Sequence, residues 1–293
     1  MKTSLDHLPE YKQHELAQIS SILRNTLDDY LVGKSEGKRA FKIHKIILFG
    51  SHAKGGWVSD IPNGYVSDYD ILVIVNTPAL AEEDIVWHKA EEQIERQVKS
   101  APLGLIVHTL SEVNEQLQNG HYFFKDIRQE GILLFDANKR ELAQPGDLTA
   151  QERRAIAQGH FDHWFVSAQQ FFTSYHDDLE RQWLSKAAFE LHQSTERFFA
   201  CTLLTLTNYL PKTHNIEKLK KYCADQEIAF AGLFPMDDKF HRRSFRRLQR
   251  AYIDARYSMH YEITEEELVY LAEEAEKLKI LTEQVCRARL AEA

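Results

Sequence analysis

The residues best equipped for chemistry lie between Ile46 and Val75: Gly50, Ser51, Asp68 and Asp70. Asp68 and Asp70 occupy alternate positions just before the apolar run Ile71-Leu72-Val73-Ile74-Val75. Side chains alternate faces along a strand, so both carboxylates project together from its mouth. Carboxylates so placed repel each other unless a cation sits between them. Mg²⁺ suits the position, because it takes one or two carboxylates together with phosphate oxygens. Upstream, the apolar run Ile46-Ile47-Leu48-Phe49 opens directly into Gly50-Ser51-His52-Ala53-Lys54-Gly55-Gly56. Gly50 leaves room for backbone N–H groups to approach a phosphate, Ser51 adds a hydroxyl donor and Lys54 a positive charge. The turn is expected to start a short helix, whose N-terminus favours anions. The chemistry implied is phosphoryl transfer, with metal held on Asp68 and Asp70 against the phosphates.

The elements that must position these residues are legible around them. Residues 5–32 repeat Ile19, Leu23, Leu27, Tyr30 and Leu31 at helical spacing, and 33–38 is a loop by composition. After the two strands come a charged amphipathic helix over 82–98 and a strand at 103–107. A short helix at 111–117 follows, capped by Ser111, then a second around 122–127 and a strand at 132–135. This order predicts an α/β or α+β domain over residues 1–140. The polar stretch 136–147, with Pro145-Gly146, reads as the domain boundary. Beyond it strand signals nearly vanish. Helices are expected at 149–175, 179–209, 214–228, 237–260 and 264–291, with capping boxes at Thr149–Glu152 and Thr264–Glu267. Residues 148–293 are therefore expected to form an all-α bundle. The helix 179–209 is apolar over a width that places it at the bundle's centre, with His192, Gln193 and Glu196 as a polar strip.

The 293 residues, 43% hydrophobic, suffice for two packed domains, and a net charge of -8 argues against nonspecific coating of nucleic acid. No apolar run approaches the ~20 residues a membrane helix needs. Cys201, Cys223 and Cys286 show neither metal-ligand spacing nor a disulfide framework. With a polar N-terminus unlike a signal peptide, these features predict a soluble, reduced, cytoplasmic protein without a membrane partner. One basic cluster stands out in an acidic chain: Arg242, Arg243, Arg246, Arg247 and Arg250. It can meet phosphate or RNA, or pair with the glutamates of the last helix.

The series Gly50-Ser51-His52-Ala53-Lys54-Gly55, then Ser67-Asp68-Tyr69-Asp70-Ile71-Leu72-Val73, resembles the signature of the nucleotidyltransferase superfamily that includes DNA polymerase beta and kanamycin nucleotidyltransferase. The likeness covers roughly residues 40–136, is nearest to the minimal nucleotidyltransferases, and implies an α+β fold with a mixed sheet and flanking helices. It implies transfer of a nucleotide, usually AMP from ATP or another NTP, to an acceptor with Mg²⁺. Asp68 and Asp70 would be catalytic metal ligands; Gly50, Ser51, Lys54 and Ser67 would bind the nucleotide. The family's pattern also has a third carboxylate on the strand after the next helix. That strand, residues 103–108, has no Asp or Glu and ends at His108; Glu112, Asp126 and Glu130 are the substitutes within reach of the sequence. The segment between the turn and Asp68, residues 57–65, is longer than in the tightest versions.

In the second half, Leu191-His192-Gln193 with Glu196, the link Lys212-Thr213-His214-Asn215, and Tyr252 with Ala255-Arg256-Tyr257 resemble the HEPN (higher eukaryotes and prokaryotes nucleotide-binding) domain, in its sacsin-like branch, over roughly 155–290. The resemblance implies a domain that binds nucleotide, RNA or a protein partner and pairs as a homodimer. Some HEPN proteins are RNases with Arg-x(4–6)-His. Here Arg256 and His260 are closer than that, but at i,i+4 on one helix they would meet. Tyr257 and Tyr261 are possible nucleotide acceptors by the same resemblance. Three functions are therefore carried forward: a nucleotidyltransferase, a noncatalytic nucleotide-binding regulator, and a HEPN RNase of a toxin–antitoxin or defence system.

Overall fold

A computed structural model describes residues 1–60, 65–137 and 140–292. The chain divides into two compact units, Met1–Asp147 and Leu148–Ala293.

The first unit contains helix α1 (Glu10–Leu31), a short α2 (Glu36–Arg39), strand β1 (Ile43–Phe49), α3 (Gly50–Lys54), the ribbon β2 (Ser59–Asp60) and β3 (Tyr65–Val66), and β4 (Tyr69–Val75). Then follow α4 (Pro78–Ala81), α5 (Asp84–Gln97), β5 (Leu103–Thr109), α6 (Leu110–Gln118), α7 (Tyr122–Glu130) and β6 (Ile132–Asp136). The main sheet runs β5-β4-β1-β6; β1 is antiparallel to β4 and β6, and β4 is parallel to β5.

Every residue of β1 and β4 is buried. The cause is cover on both faces. Ile46, Leu48, Ile71 and Val73 pack with Leu16, Ile19 and Leu23 of α1 and Val86, Ala90 and Ile94 of α5. Toward the other face, His108 of β5 meets Phe124 of α7 edge-on at 5.5 Å. Strands covered on both faces read as continuous apolar runs rather than as alternation, which is how these segments stand in the sequence. The β2–β3 ribbon was not foreseen; the expected long segment 57–65 falls partly on residues 61–64, outside the described ones. The cap of α6 is Thr109, not Ser111: its Oγ1 accepts from Glu112 N at 3.1 Å, and the Glu112 carboxylate accepts from Thr109 N at 2.9 Å. A reciprocal box satisfies more orphan donors than a lone serine does, so the cap sits two residues earlier.

The second unit is helical: α8 (Ala150–Glu180), α9 (Leu184–Thr207), α10 (Ile216–Gln226), a 3-10 turn (Ile228–Gly232), α11 (Lys239–Tyr257) and α12 (Glu265–Glu292). Helix α9 packs against α8, α10, α11 and α12, the central place its apolar width demands. Its buried hydroxyls are satisfied locally: Ser194 donates to Ala168 O at 3.0 Å, Thr195 to Leu191 O at 2.8 Å and Thr202 to Phe198 O at 3.1 Å. The α8–α9 turn falls at 181–183, with Gln182 at φ 60, later than expected. No glycine or proline marks it. Instead Gln182 N and Trp183 N bond the carbonyls of Leu179 and Asp178 at 2.9 Å. The Thr149 and Thr264 capping boxes both form. All three cysteines are free and buried. No helix among the described residues is long and apolar enough to cross a membrane.

Candidate functional site

The edge of β1 delivers Gly50 and the edge of β4 delivers Asp70, since Phe49 is registered with Asp70. Gly50 has φ +70, and a Cβ on it would overlap the Asp70 carboxylate. Only glycine meets both demands without strain. Asp68 and Asp70 are both buried, at 9% and 2% exposure. Beside them Ser51 Oγ is buried without a hydrogen-bond partner. A buried hydroxyl and two buried carboxylates around a glycine turn fit a hard cation with phosphate oxygens, because all the ligands are oxygen. Helix α3 has only 5 residues, too short to add much of a dipole.

Beneath the turn lies a buried polar network. His52 is fully buried. Its Nδ1–H donates to the Asp68 carbonyl at 2.8 Å, and its Nε2 accepts from Lys12 Nζ at 3.2 Å. Burial, followed by the Lys12 charge, pushes the imidazole down to about 4, so it is neutral. Lys12 is itself buried, with Nζ 4.4 Å from the Trp57 ring and 5.0 Å from that of Tyr69; burial lowers its pKa. Tyr69 donates to Glu15 at 2.7 Å, and Ser100 Oγ donates to the same carboxylate. Burial raises the Tyr69 phenol. Burial also pushes Glu15 upward, but the bonds from Ser100 and Tyr69 outweigh it and leave the carboxyl low.

Other expected site residues are placed differently. Ser67 Oγ accepts from Val58 N at 3.0 Å and so secures the β2–β3 ribbon. Lys54 pairs with Glu130 at 2.9 Å, both about half exposed. The register explains why β5 supplies no third carboxylate: Asp70 stands opposite Gly104, and Leu103 opposite Tyr69. Glu112 follows Thr109, which pairs with Val75 at the far end of the sheet, and is committed to its cap and to His108 at 3.4 Å. Glu130 lies at the near end, since Ile132 pairs with Leu48. Asp126 sits one turn earlier on α7. Among the described residues, the one group of three side chains close enough to share a metal is Asp237, Asp238 and His241, on the surface of the second unit.

In that unit the three stretches quoted above converge. His214 Nδ1 lies 3.0 Å from Glu196 and its Nε2 lies 3.0 Å from Tyr252 OH. The His214 and Tyr252 rings stack at 4.0 Å. His192, on the same face of α9 as Glu196, is 3.7 Å from that carboxylate; burial drives its imidazole down to about 4. Arg256 lies over the rings of Tyr252 at 4.6 Å, Phe189 at 5.1 Å and Tyr257 at 5.1 Å, and its Nε donates to Tyr252 O at 2.7 Å. In the sequence these motifs stand apart; the long-range packing of α9 with α11 unites them.

The expected Arg256–His260 pair does not share a helix. α11 ends at Tyr257 and Ser258 is its C-cap, so His260 lies in the following turn and the i,i+4 geometry is lost. Tyr257 is 77% exposed. Tyr261 donates to Arg247 O at 3.0 Å, and burial raises its phenol. The arginine cluster is also largely spent within the fold. Arg243 and Arg247 both reach the buried Glu267 at 2.6 Å, Arg242 donates to Met236 O at 2.8 Å, and Arg250 pairs with Asp254 at 2.6 Å.

Compared with known proteins, residues 161–285 match the HEPN domain family, and this region is a HEPN domain. No curated relative matches the chain.

Proposed function

We propose that the chain, with a HEPN domain at 161–285, binds a Mg²⁺–nucleoside triphosphate at the Gly50–Ser51 turn and transfers its nucleotidyl group to an acceptor. The observation that carries this reading is the contact between Gly50 and Asp70. A Cβ on Gly50 would overlap the Asp70 carboxylate, so that carboxylate lies directly against the backbone of the turn. Asp68, two residues before Asp70 and just ahead of β4, would complete a pair of oxygen ligands for the cation. Mg²⁺ held there would neutralise charge on the phosphates and polarise them for attack. The chain's own part is to hold the triphosphate: backbone N–H groups at Gly50 and Ser51 and the free Ser51 hydroxyl bind and orient it. Lys54, whose side chain is about half exposed, can turn from its pairing with Glu130 to the phosphates. The HEPN domain contributes a binding surface, where the Arg256 guanidinium and the exposed Tyr257 ring offer the stacking faces that nucleobases favour.

One observation favours a second reading, in which the nucleotide is bound but not transferred. Gly104, not a carboxylate, stands opposite Asp70, so β5 offers no base for an acceptor hydroxyl. Release of pyrophosphate from Mg–ATP separates the readings. Transfer predicts pyrophosphate in proportion to nucleotide fixed on an acceptor, with loss of both in Asp68→Asn/Asp70→Asn. Binding without pyrophosphate across a panel of candidate acceptors supports the regulator.

A further inference from the structure

We propose that His52, held by Lys12, is a positioning residue that fixes Asp68 against the Gly50–Ser51 turn. The inference rests on the reading of Asp68 and Asp70 as cation ligands. Asp68 precedes the regular part of β4, whose pairing with β1 ends at Phe49 opposite Asp70. It therefore lies beyond the ladder that holds Asp70, and its position depends on groups other than β1. His52 supplies one of them, donating from Nδ1 to the Asp68 carbonyl at 2.8 Å. Because His52 directly follows Ser51, the same short turn carries the phosphate cradle and the brace for the carboxylate.

Lys12 reinforces the tautomer that the Asp68 carbonyl, an acceptor only, already requires. An ammonium only donates, so Nε2, 3.2 Å from Nζ, must accept and the imidazole proton must reside on Nδ1. The charge on Lys12 is favoured by the faces of Trp57, Tyr69 and Tyr11, at 4.4, 5.0 and 5.5 Å. The ring cannot swing away. It stacks on Trp57 with centroids 5.7 Å apart and lies 4.5 Å from the Tyr69 ring, while His7 Nε2 donates to the His52 carbonyl at 2.8 Å. Groups that orient a metal ligand without touching the metal commonly change affinity when removed, and here helix α1, distant in sequence, is the source of that orientation.

The test uses the full chain. Titration calorimetry measures Mg–ATP binding by wild type, His52→Ala, His52→Asn, Lys12→Met and Asp68→Asn/Asp70→Asn, with thermal melts to establish folding. His52→Ala is expected to weaken binding about ten- to a hundredfold. His52→Asn, which keeps an N–H near the Nδ1 position, recovers most of the affinity. ¹⁵N spectra of wild type are expected to show a neutral His52 protonated on Nδ1, and Lys12→Met to weaken but not reverse that preference. A folded His52→Ala that binds like wild type, while the double aspartate variant does not bind, overturns the inference and leaves the site reading intact. If His52→Ala fails to fold, an Nε2–H tautomer in wild type overturns it instead. No Mg–ATP binding by wild type removes both.

Discussion

At Gly50 two requirements coincide, a left-handed backbone and the absence of a Cβ against Asp70. Alanine there must adopt a conformation that costs roughly 1–2 kcal/mol and must also displace the carboxylate. Gly50→Ala is therefore expected to lose Mg–ATP binding while the protein keeps a cooperative melt; calorimetry beside a melting curve checks this. Retained affinity would show that Asp70 has no part in the site. In the second unit, Arg256 is expected to matter through stacking rather than charge alone. Arg256→Lys retains the charge but loses the planar face laid over Tyr252, Phe189 and Tyr257. It should therefore weaken binding of a fluorescent nucleotide by the HEPN region nearly as much as Arg256→Ala. Equal binding by wild type and the lysine variant would argue against a stacking surface.

At the scale of elements, α11 and α12 are joined by Glu267, a fully buried carboxylate that bonds Arg243, Arg247 and the Thr264 cap. Burial pushes its pKa up, but the hydrogen bonds and charges around it outweigh burial, and the carboxyl sits below its ordinary 4.5. A carboxyl lowered by folding contributes stability that is present above its unfolded pKa and is lost as pH falls through the folded value. Urea denaturation should thus show a loss of stability below about pH 4.5 that is smaller in Glu267→Gln. At neutral pH, Glu267→Ala is expected to cost about 2 kcal/mol, less than a wholly buried pair because both arginines reach solvent. A pH profile in the glutamine variant identical to wild type would contradict the assignment. The same element shows what the sequence could and could not disclose. The Thr264–Glu267 capping box was legible from its spacing. That Glu267 also collects two arginines from another helix was only one of two readings of the basic cluster, because charge pairing between helices has no local signature. Likewise β1 and β4 were legible as apolar runs. The network of Lys12, Glu15, His52 and Tyr69 was not, since it joins α1 to the turn across some forty positions and each residue alone looks ordinary. The end of α11 at Tyr257 was missed because nothing but Ser258 marks it.

Taken whole, the molecule is two units with separate cores. Each buries its own large apolar set, including Ile46, Leu72 and Val73 in the first and Phe198, Phe199 and Leu271 in the second, and units of this size commonly fold alone. Residues 148–293 expressed alone are expected to melt cooperatively, and Phe198→Ala to destabilise that piece by about 3–5 kcal/mol; a non-cooperative melt of the wild-type piece would show that its core is not self-sufficient. The net charge of -8 argues against nonspecific coating of nucleic acid, and most of the basic cluster is engaged within the fold. The central claim is that the Gly50–Ser51 turn and the Asp68–Asp70 pair bind a nucleoside triphosphate through Mg²⁺. Calorimetry of ATP with the full chain, with Mg²⁺ and with excess chelator, tests it most directly. Saturable binding that requires Mg²⁺ and disappears in Asp68→Asn/Asp70→Asn is the predicted result; binding unchanged by chelator and by the double substitution would contradict it.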